Sequence, residues 1–146
     1  MTAPRKGLTR QEAVQRVLQG IQDDQRGYTE LMGLLESQFQ ASLRHQSAQL
    51  PLLAEQIIAS VEQLDARRRQ RMSLVTALAG PKSGMPQLFA LLRPEARASS
   101  SADWAALEQM VLECKRLNIR NSTLLTEQYT IMQRVLHGEE HTYAPG

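Results

Sequence analysis

The stretch WAALEQMVLECKRLNIRNSTLLTEQYTIMQRV, Trp104 to Val135, decides the fold class. Counting by sevens from Trp104 reaches Val111, Asn118, Leu125 and Met132, while Leu107, Cys114, Asn121, Gln128 and Val135 fill the intervening three- and four-residue steps. A seven-residue repeat of this kind marks a helix that packs on other helices along a narrow seam. Two seam positions hold asparagine. A buried amide in such a seam costs stability and fixes register and partner, so Asn118 and Asn121 read as residues of specificity rather than of core volume.

Upstream, Thr9-Arg-Gln-Glu12 has the form of a capping box ahead of Val14, Val17, Leu18 and Ile21, which predicts a first helix from there to about Leu43. At 1.5 Å per residue it is a rod of roughly 50 Å. Gly20, Gly27 and Gly33 each weaken it by roughly 0.5–1 kcal/mol relative to alanine, so its stability must come from packing. A turn is expected between about Arg44 and Leu50, because Pro51 suits the first turn of a new helix. The second seam, Ile57, Val61, Leu64, Met72, Val75, Leu78, stops at Gly80-Pro81, a strong helix terminator. Residues 80–103 contain four prolines or glycines after that pair's first glycine and the run Ser99-Ser-Ser101, with one apolar island, Leu88-Phe-Ala-Leu-Leu92. They are expected to form a mobile connector carrying one short helix. Ser100 or Ser101 caps a third helix from about Ala102 to Leu136 that ends at Gly138, leaving residues 138–146 as a flexible tail and residues 1–8 as a loose start. Folding helices 1 and 2 into a hairpin sets Asp24 level with Arg71, so that the acidic pair Asp23-Asp24 faces the run Arg67-Arg-Arg-Gln-Arg71.

Composition agrees with a helical chain. There are 21 leucines and 16 glutamines against six aromatics, and alternating-polarity runs bounded by turn dipeptides are missing. The reading is all-α: an elongated antiparallel helical bundle or coiled coil of three long helices, forming a single domain over residues 1–146. Seventeen basic and fifteen acidic residues leave a formal net charge of +2, too little for a nucleic-acid footprint without a clustered face. Five helical residues span more than one turn, so the arginine run makes no single basic face. Cys114 is the one cysteine, which excludes a disulfide framework and suits a reducing compartment. With no apolar leader and no run of roughly 20 apolar residues, a cytoplasmic protein without stable membrane insertion is expected.

Chemistry has few candidates. The order of residues in His137-Gly-Glu-Glu-His141 differs from H-E-x-x-H, and Gly138 is expected to break the helix that would align the two rings. No phosphate-binding glycine loop, dinucleotide fingerprint or nucleophile elbow occurs, and no nucleophile has a histidine beside it in a recognisable motif, so neither catalysis nor a cofactor is expected. Trp104, Met110 and Met132 serve either as seam residues or as the adaptable wall of a partner-binding groove.

Three features together resemble the FlgN family of flagellar export chaperones: Trp104 opening the third helix, the segment Leu117-Asn-Ile-Arg-Asn-Ser-Thr-Leu-Leu125, similar to that family's N-x-x-N-G-x-L-L, and the ending Thr142-Tyr-Ala-Pro-Gly146, similar to its Y-x-x-G. Ser122 stands where the family usually has glycine. The resemblance implies a cytosolic chaperone of the flagellar type III secretion system. It would bind the C-terminal helical segments of the hook–filament junction proteins FlgK and FlgL and deliver them to the export gate, as a monomer or weak homodimer. On that reading Trp104, Val111, Asn118, Asn121, Leu124, Leu125 and Met132 form the client-binding surface, and Tyr143 docks at the export gate. The other class compatible with the seam is a structural or regulatory coiled-coil protein that associates with itself.

Overall fold

The computed structural model describes residues 8–143, with side chains through Gly138. Helix α1 spans Arg10–Leu43, α2 Gln49–Ala79, α3 Met85–Phe89 and α4 Pro94–Tyr143. The chain is all-α, and no strand occurs among the described residues.

The start of α1 is set by the capping box read from the sequence. The Thr9 hydroxyl accepts from the Glu12 N–H at 3.1 Å, and the Glu12 carboxylate accepts from the Thr9 N–H at 2.9 Å. The Thr9 backbone N–H foremost, and the Thr9 side chain after it, hold the Glu12 carboxyl below its ordinary pKa. At the other end His45 takes φ of 54°. The Gln46 N–H then reaches back to the Ala41 carbonyl at 2.9 Å, a left-handed helix stop built without glycine. Pro51 lies in the first turn of α2, and Gly80, at φ of 113°, ends it.

α1 is the helix on which both α2 and α4 pack. α2 runs antiparallel to it, with Asp24 meeting Arg67 and Arg71. α4 runs parallel to α1 and so antiparallel to α2, the up-down-up order of an antiparallel chain, with its long contact made to α1. Three hydrogen bonds set the parallel register, each at an offset of 86 residues: Cys114 Sγ to the Tyr28 carbonyl, Asn121 Nδ2 to that of Leu35 and Gln128 Nε2 to that of Ser42. Both series advance by seven residues, the repeat visible in the sequence.

Apolar packing falls into two clusters. One joins Val17, Ile21, Val75, Met85, Leu88, Phe89 and Leu107; the other joins Leu31, Leu35, Leu64, Cys114 and Leu117. α3 is too short to persist alone, but it buries Met85, Leu88 and Phe89 in the first cluster, at roughly 1.5–3 kcal/mol for each such side chain. It closes the end of the molecule between α2 and α4.

Two sequence expectations change. Residues 94–103, read as connector, are the first turns of α4. Pro94 takes the first helical position, where its missing N–H is no loss, and the Arg97 guanidinium ties this turn to the carbonyls of Phe89 and Leu92. Gly138 does not stop α4, whose backbone is helical to Tyr143; one glycine costs a helix only about 1 kcal/mol. Of the expected loose start only Leu8 is described, and Ala144, Pro145 and Gly146 lie outside the described residues.

Candidate functional site

The row Trp104, Val111, Asn118, Leu125, Met132 lies along one flank of α4, and its exposure grows toward the C-terminus. Trp104 and Val111 are half-buried, Asn118 is exposed, and Leu125 and Met132 are 36 % and 58 % exposed. A straight helix drifts by about 20° per heptad, so a row spaced by sevens turns gradually around its axis.

At the upper end Trp104 sits under the Arg71 guanidinium, whose carbon is 5.0 Å from the ring centroid. The position of Arg71 is itself fixed from α1: Asp24, 2 % exposed, accepts from Arg71 at 2.5 Å and from Arg67 at 2.6 Å. Gly27 makes room for this clasp, since a Cβ there would stand 2.7 Å from an Arg67 nitrogen and 2.9 Å from a Leu64 methyl. Asp23 does not join it and pairs with Arg26 on its own helix. Beside the clasp a hollow of about 520 Å³ is bounded by Tyr28, Arg71, Trp104, Leu107, Val111 and Leu112, among others. Burial, with the Asp24 carboxylate second, pushes the Tyr28 phenol above its ordinary pKa.

Asn121 is 2 % exposed and points away from this row into α1. Its Nδ2 donates to the Leu35 carbonyl at 2.7 Å and to Gln38 Oε1 at 2.8 Å, and its Oδ1 accepts from Arg120 at 3.2 Å. Arg120 also pairs with Glu36 at 3.0 Å and lies 3.6 Å from the centre of the Phe39 ring. The segment Leu117–Asn121 thus clamps α4 to α1, with Leu117 in the core and Asn118 and Ile119 facing outward. The sequence reading grouped Asn118 with Asn121; the fold separates them, one on the exposed flank and one on the buried seam. Leu124 is half-buried. Cys114, on the same seam, has its thiol pushed up to about 11 by burial and then by Glu113, which keeps it protonated and unreactive near neutral pH.

Near the level of Gln128 the hairpin of α1 and α2 ends and α4 continues. There Tyr129, Ile131, Met132, Val135 and Leu136 are each more than half exposed. Met132 and Leu136 border a second hollow of about 520 Å³ with Ser42, His45 and Leu50. Tyr129 and Leu136 were absent from the sequence candidates. They follow Leu125 and Met132 by four residues and complete an apolar stripe, a spacing that could have found them. Tyr143 is the last helical residue of α4, and its side chain lies outside the described residues.

A cavity of about 690 Å³ lies instead between the first half of α1 and the second half of α2, and among the described residues that line it there is no histidine, cysteine or lysine. Among the described residues no group of three or more His, Cys, Asp or Glu is placed to hold a metal ion. No helix there is long and apolar enough to cross a membrane.

A family model described as FlgN protein matches residues 13–138. No curated protein and no solved structure gives a match. The matched span takes in the α1–α2 hairpin, α3 and the whole described length of the α4 face, and on that coverage the chain belongs to the FlgN family of flagellar export chaperones, a family of chaperones rather than enzymes.

Proposed function

We propose that the protein is a cytoplasmic chaperone that binds the C-terminal helical segments of FlgK and FlgL along α4, keeps them from assembling early and passes them to the export gate of the flagellar type III system. The observation that carries this reading is the apolar row on α4 that loses its cover as the α1–α2 hairpin ends, with Leu125 at 36 %, Met132 at 58 % and Leu136 at 53 % exposure. A contiguous exposed apolar stripe on a long helix is an interaction surface, and an amphipathic client helix buries its own stripe by lying along it. In this reading Trp104, Val111, Asn118, Leu125 and Met132 face the client, and Leu124 lines the flank. Asn121 holds the α1–α4 register behind them and meets the client only where α4 parts from α1. Tyr143, at the far end of the helix, serves the export gate.

The test is calorimetric titration with the isolated C-terminal segments of FlgK and FlgL. The double substitution Leu125→Glu, Met132→Glu puts two charges on the stripe at exposed positions and should leave helicity unchanged while weakening capture at least a hundredfold. Unchanged capture would contradict the assignment. A chain that instead saturates its own stripe would sediment as a stable oligomer and ignore both clients.

A further inference from the structure

The four arginines of residues 67–71 share two carboxylates: Asp24 accepts from Arg67 and Arg71, and Asp65 from Arg68 and Arg69. Four guanidinium groups thus stand on two carboxylates, a local excess of positive charge within about one turn and a half of α2. Part of it is turned inward. The Arg71 side chain is only 14 % exposed, against 51 % and 69 % for Arg68 and Arg69, and it stands at the edge of the upper hollow beside Trp104.

A guanidinium carries five N–H donors in its own plane. Lying over an aromatic ring engages its face, and Asp24 takes one nitrogen at its edge, so in-plane donors remain for a further acceptor. The wall around them is mostly apolar, Tyr28, Trp104, Leu107, Val111 and Leu112, with the exposed Gln109 at its border. Glu108 also borders the hollow, but it is exposed, and water screens its charge far more than that of Arg71. A cavity with aromatic and aliphatic walls and a sheltered cation at its rim suits an apolar side chain accompanied by a carboxylate.

We infer that Arg71 is the specificity-determining residue of the α4 face: it receives a carboxylate of the client helix while a neighbouring apolar side chain of that helix fills the hollow beside Trp104. The inference rests on the client-binding reading above and narrows it to segments bearing an acidic residue within about one helical turn of an apolar anchor. Because the client carboxylate and Asp24 compete for the same guanidinium, Asp24 tempers the attraction that it also positions.

The experiment is a double-mutant cycle by calorimetry with synthetic C-terminal segments of FlgK and FlgL, each Asp or Glu replaced in turn by its amide. One such replacement should weaken binding to the unmodified chaperone about tenfold or more, as for loss of a hydrogen bond to a charged group. The same replacement should have little effect on the Arg71→Gln variant. Loss that persists undiminished in Arg71→Gln, or insensitivity to every amide replacement, would overturn the inference. Asp24→Asn gives a second reading independent of how well Arg71→Gln folds: it should lower the melting temperature yet hold or tighten binding of the acidic segment, whereas weaker binding would mean that the clasp is structural only. If the unsubstituted segments fail to bind at all, the client reading falls and this inference with it; binding without coupling to Arg71 removes this inference alone.

Discussion

Asp24 is the residue on which the α1–α2 hairpin is pinned. At 2 % exposure its carboxylate faces two guanidinium groups, and both of its oxygens are used. Removing one member of a buried ion cluster strands the others, at about 3–5 kcal/mol. Because Arg67 and Arg71 keep some contact with water, the lower figure applies: Asp24→Ala should cost about 3 kcal/mol in urea unfolding, and a loss below about 1 kcal/mol would show that the arginines find water readily. Sequence symmetry alone set Asp24 level with Arg71. It could not separate Asp24 from Asp23, because the two differ by one helical position, about 100° around the axis, and only packing decides which faces inward. The asparagines teach the same lesson. Asn121 does what a seam amide does, fixing register, but its partner is the Leu35 carbonyl of α1, a group present in every sequence and so marked in none.

At the scale of the elements, the sequence reading succeeded where a terminus has its own local chemistry: Thr9 with Glu12 at the start of α1, Pro51 in the first turn of α2, Gly80 at its end. It failed where local signals were outweighed by packing. Ser99-Ser-Ser101 reads as loop, yet Ser100 is 8 % exposed inside α4, and the burial of α3 together with the Arg97 bonds holds Pro94 at a helix start. Glycine inside α1 looked like one weakness repeated three times, and the structure divides it into two kinds. A Cβ at Gly20 or Gly33 meets nothing within 4 Å, whereas at Gly27 it would press on Arg67 and Leu64. Gly20→Ala and Gly33→Ala should therefore each stabilise by roughly 0.5–1 kcal/mol. Gly27→Ala should destabilise, since overpacking at about 1–3 kcal/mol exceeds the gain in helix propensity. Thermal melts of the three variants check this; three shifts of the same sign would contradict the close approach at Gly27.

Across the whole molecule, stability and accessibility run in opposite directions. Both apolar clusters and the Asp24 clasp lie at or above the level of Asn121, where Leu35 sits, while the segment from Tyr129 to Leu136 is more than half exposed at each of its large apolar residues. The polar rung at Gln128 adds little cost to separating this part of α4 from α1, because the Ser42 carbonyl keeps the His45 N–H and the freed amide turns to water. Segments with few buried contacts open most readily, which is what a surface meant to take up a client helix requires. Hydrogen exchange measured along α4 in the free protein and with the FlgK C-terminal segment bound tests this most directly. Amides from Leu107 to Asn121 should exchange slowly in both states, and those from Gln128 to Leu136 should exchange rapidly in the free protein and become protected in the complex. Protection confined to α1 and α2, or a distal α4 already as slow as its upper half before the client is added, would contradict the placement of the client on α4.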